Sequence, residues 1–252
     1  MKKSLFAVVL CLAAALGMAL ALTGCSKDYS QVTQALNGVW YANGGSEEKL
    51  NVFTFEDETA TLNVVDNSVR SRAESTPLLS QASISDDVKR DVKIDDTDII
   101  LLDGGKEVSK IPYEMKDGEI ILDGGKYVSE ADAKSDLLGF WTGKIGTSTL
   151  IGSSDVFHTY ELTTDTMTYE EATSGYNLPD GQYYYYGPVS MPYKLEKGRL
   201  IIDLNGATSA SSTTILMASA SFNIIDGTPT LLYGTTPLQR TDRMPGKDGY
   251  QF

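Results

Sequence analysis

The chain holds a single histidine, His158, within the run Val156-Phe157-His158-Thr159-Tyr160-Glu161-Leu162. A serine triad would require that histidine to be held by a carboxylate and to face a serine. No Gly-x-Ser-x-Gly run is present to raise a serine on a strand-to-helix elbow. Beside Phe157 and Tyr160, the expected role of His158 is that of a hydrogen-bonded structural side chain. Two cysteines occur, Cys11 and Cys25. Cys11 lies inside an apolar leader, so a thiolate nucleophile, a disulfide or a zinc site built on several sulfur or imidazole ligands lacks the residues it needs. The sequence thus leads us to expect no enzyme, no cofactor and no metal.

Paired carboxylates are the chemistry this composition leaves open. Glycosidase-type catalysis needs two carboxyl groups a few ångströms apart across a cleft. The acidic residues concentrate instead at turn positions: Glu56-Asp57-Glu58, Asp95-Asp96-Thr97-Asp98, Asp103 and Asp123. Turn formation and solubility place such residues there. Asp95, Asp96 and Asp98 have the chemistry for calcium but lack the glycine and distal glutamate of an EF-hand loop. Asp-Gly-Gly at 103–105 and at 123–125 opens no helix, so hairpin turns are expected rather than a phosphate cradle.

Tyr183-Tyr184-Tyr185-Tyr186 is the densest aromatic run, with Tyr176 before it and Tyr193 after it. On a strand alternate residues face opposite sides. One reading is core packing and cross-strand aromatic pairing with the hydroxyls reaching water. The other places one pair, Tyr184 and Tyr186, at a ligand-binding mouth or sugar-stacking platform.

These side chains need strands to position them, and the periodicity supplies them. Leu50-Asn51-Val52-Phe53-Thr54-Phe55 and Thr59-Ala60-Thr61-Leu62-Asn63-Val64 alternate about the acidic turn between them. Ile99–Leu102, Ile120–Leu122, Val156–Leu162, Thr166–Glu170, Ser221–Ile225 and Pro229–Tyr233 read in the same way. After the leader no long amphipathic helix is visible. Two anchors recur in the same order. Leu36-Asn37-Gly38-Val39-Trp40 returns as Leu137-Leu138-Gly139-Phe140-Trp141, and Ile111-Pro112-Tyr113 with its following turn and strand returns as Met191-Pro192-Tyr193. Such recurrence indicates two related halves. The offsets of 101 and 80 residues differ, so the first half carries about 21 extra residues, expected as a surface insertion across Asp66 to Asp91.

The first residues have an export signal's three parts: Lys2 and Lys3, an apolar run from Leu5 to Leu22, and small residues leading to Cys25. Leu22-Thr23-Gly24-Cys25 resembles the lipobox of bacterial lipoproteins, which implies cleavage before Cys25 and a diacylglycerol on its thiol. An uncleaved span is disfavoured by the Thr-Gly-Cys flank. Without Lys2 and Lys3 the mature chain carries 34 acidic against 19 basic residues, a formal charge of about −15. Such a body is repelled by nucleic acid and by anionic headgroups. Attachment to the membrane then falls to the lipid.

Gly-x-Trp on the first strand of an antiparallel meander resembles the opening of lipocalins and their lipoprotein relatives. The resemblance implies a barrel whose end is closed by the tryptophan, with an arginine from the last strand against its ring. Gly139, Trp141 and Arg240 match that pattern. In the first half Gly38 and Trp40 match, but the strand about Lys126-Tyr127-Val128 has no arginine. The expected architecture is all-β, two tandem small antiparallel meander barrels after a cleaved helical signal peptide. It divides into 1–24 signal peptide, 25–35 lipidated tether, 36–134 first lipocalin-like domain and 135–252 second. The expected function is that of a membrane-anchored lipoprotein on the extracytoplasmic side of the cell envelope, binding a small ligand, a glycan or a protein partner and no nucleic acid. A structural envelope protein and a carboxylate-dependent hydrolase of surface polymers are the alternatives.

Overall fold

The computed structural model describes residues 27–68, 71–72, 78–80, 82–148, 154–174, 183–206 and 220–241. Cys25 and the leader lie outside the described residues. The chain begins with a short helix, α1 (Ser30–Leu36), and is otherwise almost all strand. The first half comprises β1 (Gly38–Ser46), β2 (Lys49–Glu56), β3 (Thr59–Asp66), β4 (Ser71–Arg72), β5 (Leu78–Ser80), β6 (Ser83–Ile84), β7 (Val88–Ile94), β8 (Asp98–Asp103), β9 (Lys106–Lys116), β10 (Glu119–Leu122) and β11 (Tyr127–Ser129). Helix α2 (Glu130–Leu137) leads into β12 (Gly139–Ser148), β13 (Ser154–Leu162), β14 (Thr166–Ser174), β15 (Tyr183–Glu196) and β16 (Arg199–Asp203). Strands β17 (Ser221–Ile225), β18 (Thr228–Tyr233), β19 (Thr236–Pro237) and β20 (Gln239–Thr241) follow.

The first sheet runs β10-β9-β8-β7-β3-β2-β1-β11, with β6 added against β3. A one-turn 3-10 helix over Asp123–Gly125 joins its two edge strands, β10 and β11, so the meander curls into a nearly closed barrel. That turn was expected to be a hairpin. Residues 103–105 do make one, between β8 and β9. Trp40, Phe53, Phe55, Ile99, Leu101 and Ile111 pack inside the barrel with Leu36 of α1. Side chains fill the lumen, as in other small barrels.

Strands β1 to β3 are buried on both faces, which simple alternation does not announce. Their outward residues Tyr41, Leu50, Val52 and Val65 belong to a second core with Trp141, Tyr160, Tyr169, Met191, Phe222 and Leu231. The second half is therefore built against the outside of the first barrel. Its main sheet runs β20-β12-β13-β14-β15-β16-β5-β4, and β17-β18-β19 form a separate three-stranded sheet. The edge of β16 is taken by β5 from the first half, pairing Ile202 with Leu79. Asn223 of β17 seals the junction: its Nδ2 donates to the carbonyls of Ser46, Glu47 and Lys49.

The two halves superpose by hydrogen bonding. Asp95 N donates to Asp98 O, Tyr113 N to Thr97 O and the Tyr113 hydroxyl to Asp95 O. Thr163, Tyr193 and the Tyr193 hydroxyl repeat all three on Thr166, Asp165 and Thr163. This correspondence makes β7 to β10 the counterparts of β13 to β16. The length difference between halves is thus not one surface loop. The first half carries additional paired strands between its Trp40 anchor and β7, while the second has the longer hairpin, from Thr166 to Pro192 against Asp98 to Pro112.

The registers also fix which turns share an end of the first barrel. The Asp57-Glu58, Asp95–Asp98 and Asp117-Gly118 turns lie at the α1 end. The Glu47-Glu48 turn, the Asp103–Lys106 turn and the 3-10 turn lie at the other. The two ends stand about 20 Å apart, from about 3.3 Å of rise per strand residue.

Candidate functional site

The repeated Gly-x-Trp closes each half in the same way. Gly38 and Gly139 have φ of 130° and 109°, a region open to glycine, and there the chain swings from helix into strand. The swing carries the indole N–H of Trp40 back to Leu36 O at 2.7 Å and that of Trp141 back to Leu137 O at 2.9 Å. Arg240 pairs with Trp141 in register and lies over its ring. Ser129 holds the corresponding register position in the first half, opposite Trp40. It caps α2 instead, accepting from Asp132 N at 3.1 Å. Neither helix was foreseen from the sequence. The Ser129-Glu130-Ala131-Asp132 run, a capping signature, was the available signal for α2.

His158 is fully enclosed, and both ring nitrogens have partners. Nε2 lies 3.1 Å from the Tyr169 hydroxyl, which donates to Glu171 Oε2 at 3.0 Å. The Tyr169 oxygen then accepts from Nε2–H, leaving Nδ1 to accept from the Tyr160 hydroxyl at 3.3 Å. This bonding pattern assigns the neutral tautomer. The Tyr233 ring closes edge-on at 4.4 Å. The network ends at Glu171, 22% exposed and 3.5 Å from Nε2. His158, then Tyr169, hold the Glu171 carboxyl below its ordinary range, while burial pushes the Tyr169 hydroxyl far upward. The histidine acts here as a core hydrogen-bonding hub.

The tyrosine run forms the start of β15, with Tyr186 opposite Glu171 and Tyr184 opposite Thr173. The side chains of Tyr184 and Tyr186 lie outside the described residues. The Asp95–Asp98 carboxylates spend themselves locally. Asp95 accepts from the backbone of Thr97 and Asp98, Asp98 from the Thr97 hydroxyl, and Asp96 from Lys27 and, at 2.7 Å, from the Tyr29 hydroxyl. They form a turn and hold down the residues before α1.

The described grooves lie outside the filled lumen. A groove of about 480 Å³ runs between the halves at the barrel end away from α1. Asn43, Glu47, Asn51, Asp123, Lys126 and Tyr127 line one side, and the β17–β18 turn lines the other. Lys126 bridges to Asp123 at 3.0 Å, and Asn43 donates to Ile224 O across the junction. Burial, then the nearby Asp123 charge, raises the Tyr127 hydroxyl above its ordinary value. No side chain in this set was singled out as a ligand contact by sequence, because its members meet only when the halves pack.

No family model, curated protein or solved structure matches the chain.

Proposed function

We propose that the protein is a lipid-anchored binding protein on the extracytoplasmic side of a bacterial envelope, attached through Cys25, and that the groove between its halves takes a glycan. The observation that carries this reading is the groove itself. Carboxylate, amide, ammonium and phenol groups surround it at short intervals beside the partly apolar wall of Tyr127 and Ile224. Polyhydroxylated ligands need alternating donors and acceptors together with an apolar face, and junctions between packed units are common ligand sites. The groove opens at the end opposite Lys27, so a lipid two residues before Lys27 leaves it facing away from the membrane. The resemblance to lipocalins bears on the architecture and not on where the ligand sits, since the first barrel's lumen is packed.

Calorimetric titration of the protein with fragments of its host's envelope polysaccharides tests the reading. Saturable binding weakened at least about tenfold by Asn51→Ala and by Lys126→Ala is expected, each change removing contacts worth about 1.4 kcal/mol. Binding unaffected by either change would remove the groove from consideration. Mass spectrometry of the Cys25 peptide tests the anchor separately.

A further inference from the structure

A second crevice, of about 360 Å³, lies beside α2 and is lined by Lys134, Ser135, Leu138, Thr164, Tyr193 and Leu195. Internal repetition identifies its counterpart in the first half. The matched hydrogen bonds set Thr164 against Asp96 and Tyr193 against Tyr113, and the helix anchors set Lys134 against Thr33. In the first half this place is filled. Tyr29 packs on the barrel core beside Tyr113 and Met115, with its hydroxyl donating to Asp96 at 2.7 Å.

In the second half the position equivalent to Tyr29 is Glu130. Its carboxylate turns away to accept from the Tyr41 hydroxyl at 2.6 Å and to pair with Lys134. No aromatic side chain at that position covers Tyr193 and Leu195. The Tyr193 hydroxyl is itself committed to Thr163 O at 2.7 Å, so its ring is a fixed wall. Thr164 stands at the rim where Asp96 receives the phenol of Tyr29.

We infer that this crevice is a binding site for a small hydroxyaromatic ligand, with its ring against Tyr193, Leu195 and Leu138 and its hydroxyl at Thr164. Flat aromatic surface is the complement of such a wall, and a phenolic O–H seeks a partner at the wet edge. A volume of 360 Å³ lies at the lower end of ligand sites and accommodates one or two fused rings. The inference does not depend on the glycan reading, which concerns a different groove.

The test is a fluorescence titration of the full chain in detergent with 2-naphthol. One saturable site is expected. Thr164→Trp and Ser135→Trp place an indole at two exposed rim positions on separate elements, and each weakens binding by roughly tenfold or more. Tyr29→Ala opens the sister crevice and adds a second site. Three results would overturn the inference: no saturable binding, binding that both rim variants leave unchanged, or equal affinity for naphthalene, which lacks the hydroxyl. Circular dichroism of the rim variants separates a blocked crevice from a lost fold.

Discussion

The guanidinium of Arg240 lies 5.8 Å from the centre of the Trp141 ring. It donates to the carbonyls of Asp136 and Leu138 at 3.0 and 2.9 Å. One side chain thus ties β20 to the start of β12 and satisfies carbonyls that the end of α2 leaves open. Lysine lacks the planar fork that reaches both. Arg240→Ala is expected to lower unfolding free energy by about 1–2 kcal/mol in urea denaturation, and Arg240→Lys to restore only part of it.

Gly118 and Gly198 occupy the same turn in the two halves, with φ of 88° and 75°. A Cβ on Gly118 meets nothing within 4 Å, whereas one on Gly198 stands 2.7 Å from Val52 Cγ2 and 3.0 Å from Leu50 Cδ2. Gly118→Ala therefore costs about 1 kcal/mol from backbone strain alone. Gly198→Ala adds overpacking of about 1–3 kcal/mol at the junction of the halves. Parallel denaturation curves of the two variants check the difference.

Asn223 is fully buried and gives its amide hydrogens to three carbonyls of the β1–β2 turn. Asn223→Ala strands those acceptors and is expected to cost about 1–3 kcal/mol. Asn223→Asp faces a carboxylate to three carbonyl oxygens and should be worse, by the logic of an uncompensated buried charge. Thermal unfolding that ranks Asp above Ala in stability would contradict the packing of β17 on the first barrel.

Glu171 supplies a pH signature. Its carboxyl is held below the ordinary range, first by His158 and then by Tyr169. A carboxylate lowered in the folded state stabilises the protein above its unfolded pKa of about 4.3. That contribution is lost as pH falls through the lower folded value. Stability plotted against pH should decline below about 4.5 in the wild type and decline less in Glu171→Gln, as measured by denaturant midpoints at successive pH values.

Much of the fold was legible locally. Strands β2, β3, β8, β13, β17 and β18 match runs of alternating or β-branched residues, and Gly-x-Trp marked both strand openings. The short helices were not, because seven or eight residues leave little periodic trace and their stability comes from docking on a barrel end. The Asp123–Gly125 turn was misjudged as a hairpin because Asp-Gly-Gly suits either structure; what differs is whether the flanking strands pair. The groove was not legible at all, since its two sides lie about a hundred residues apart in the chain.

By itself the sequence determined the β class, the internal repeat, the Trp141–Arg240 contact and a structural role for His158. Each depends on side-chain period or on residue types with few partners to choose from. Only the tertiary structure decided that β1 to β3 are buried on both faces, and that β5 crosses to the other half's sheet. It also decided that Tyr29 fills one crevice while Glu130 leaves its sister open. Those outcomes follow from surfaces meeting across long stretches of chain, where burial and steric fit choose among arrangements that the local pattern allows equally.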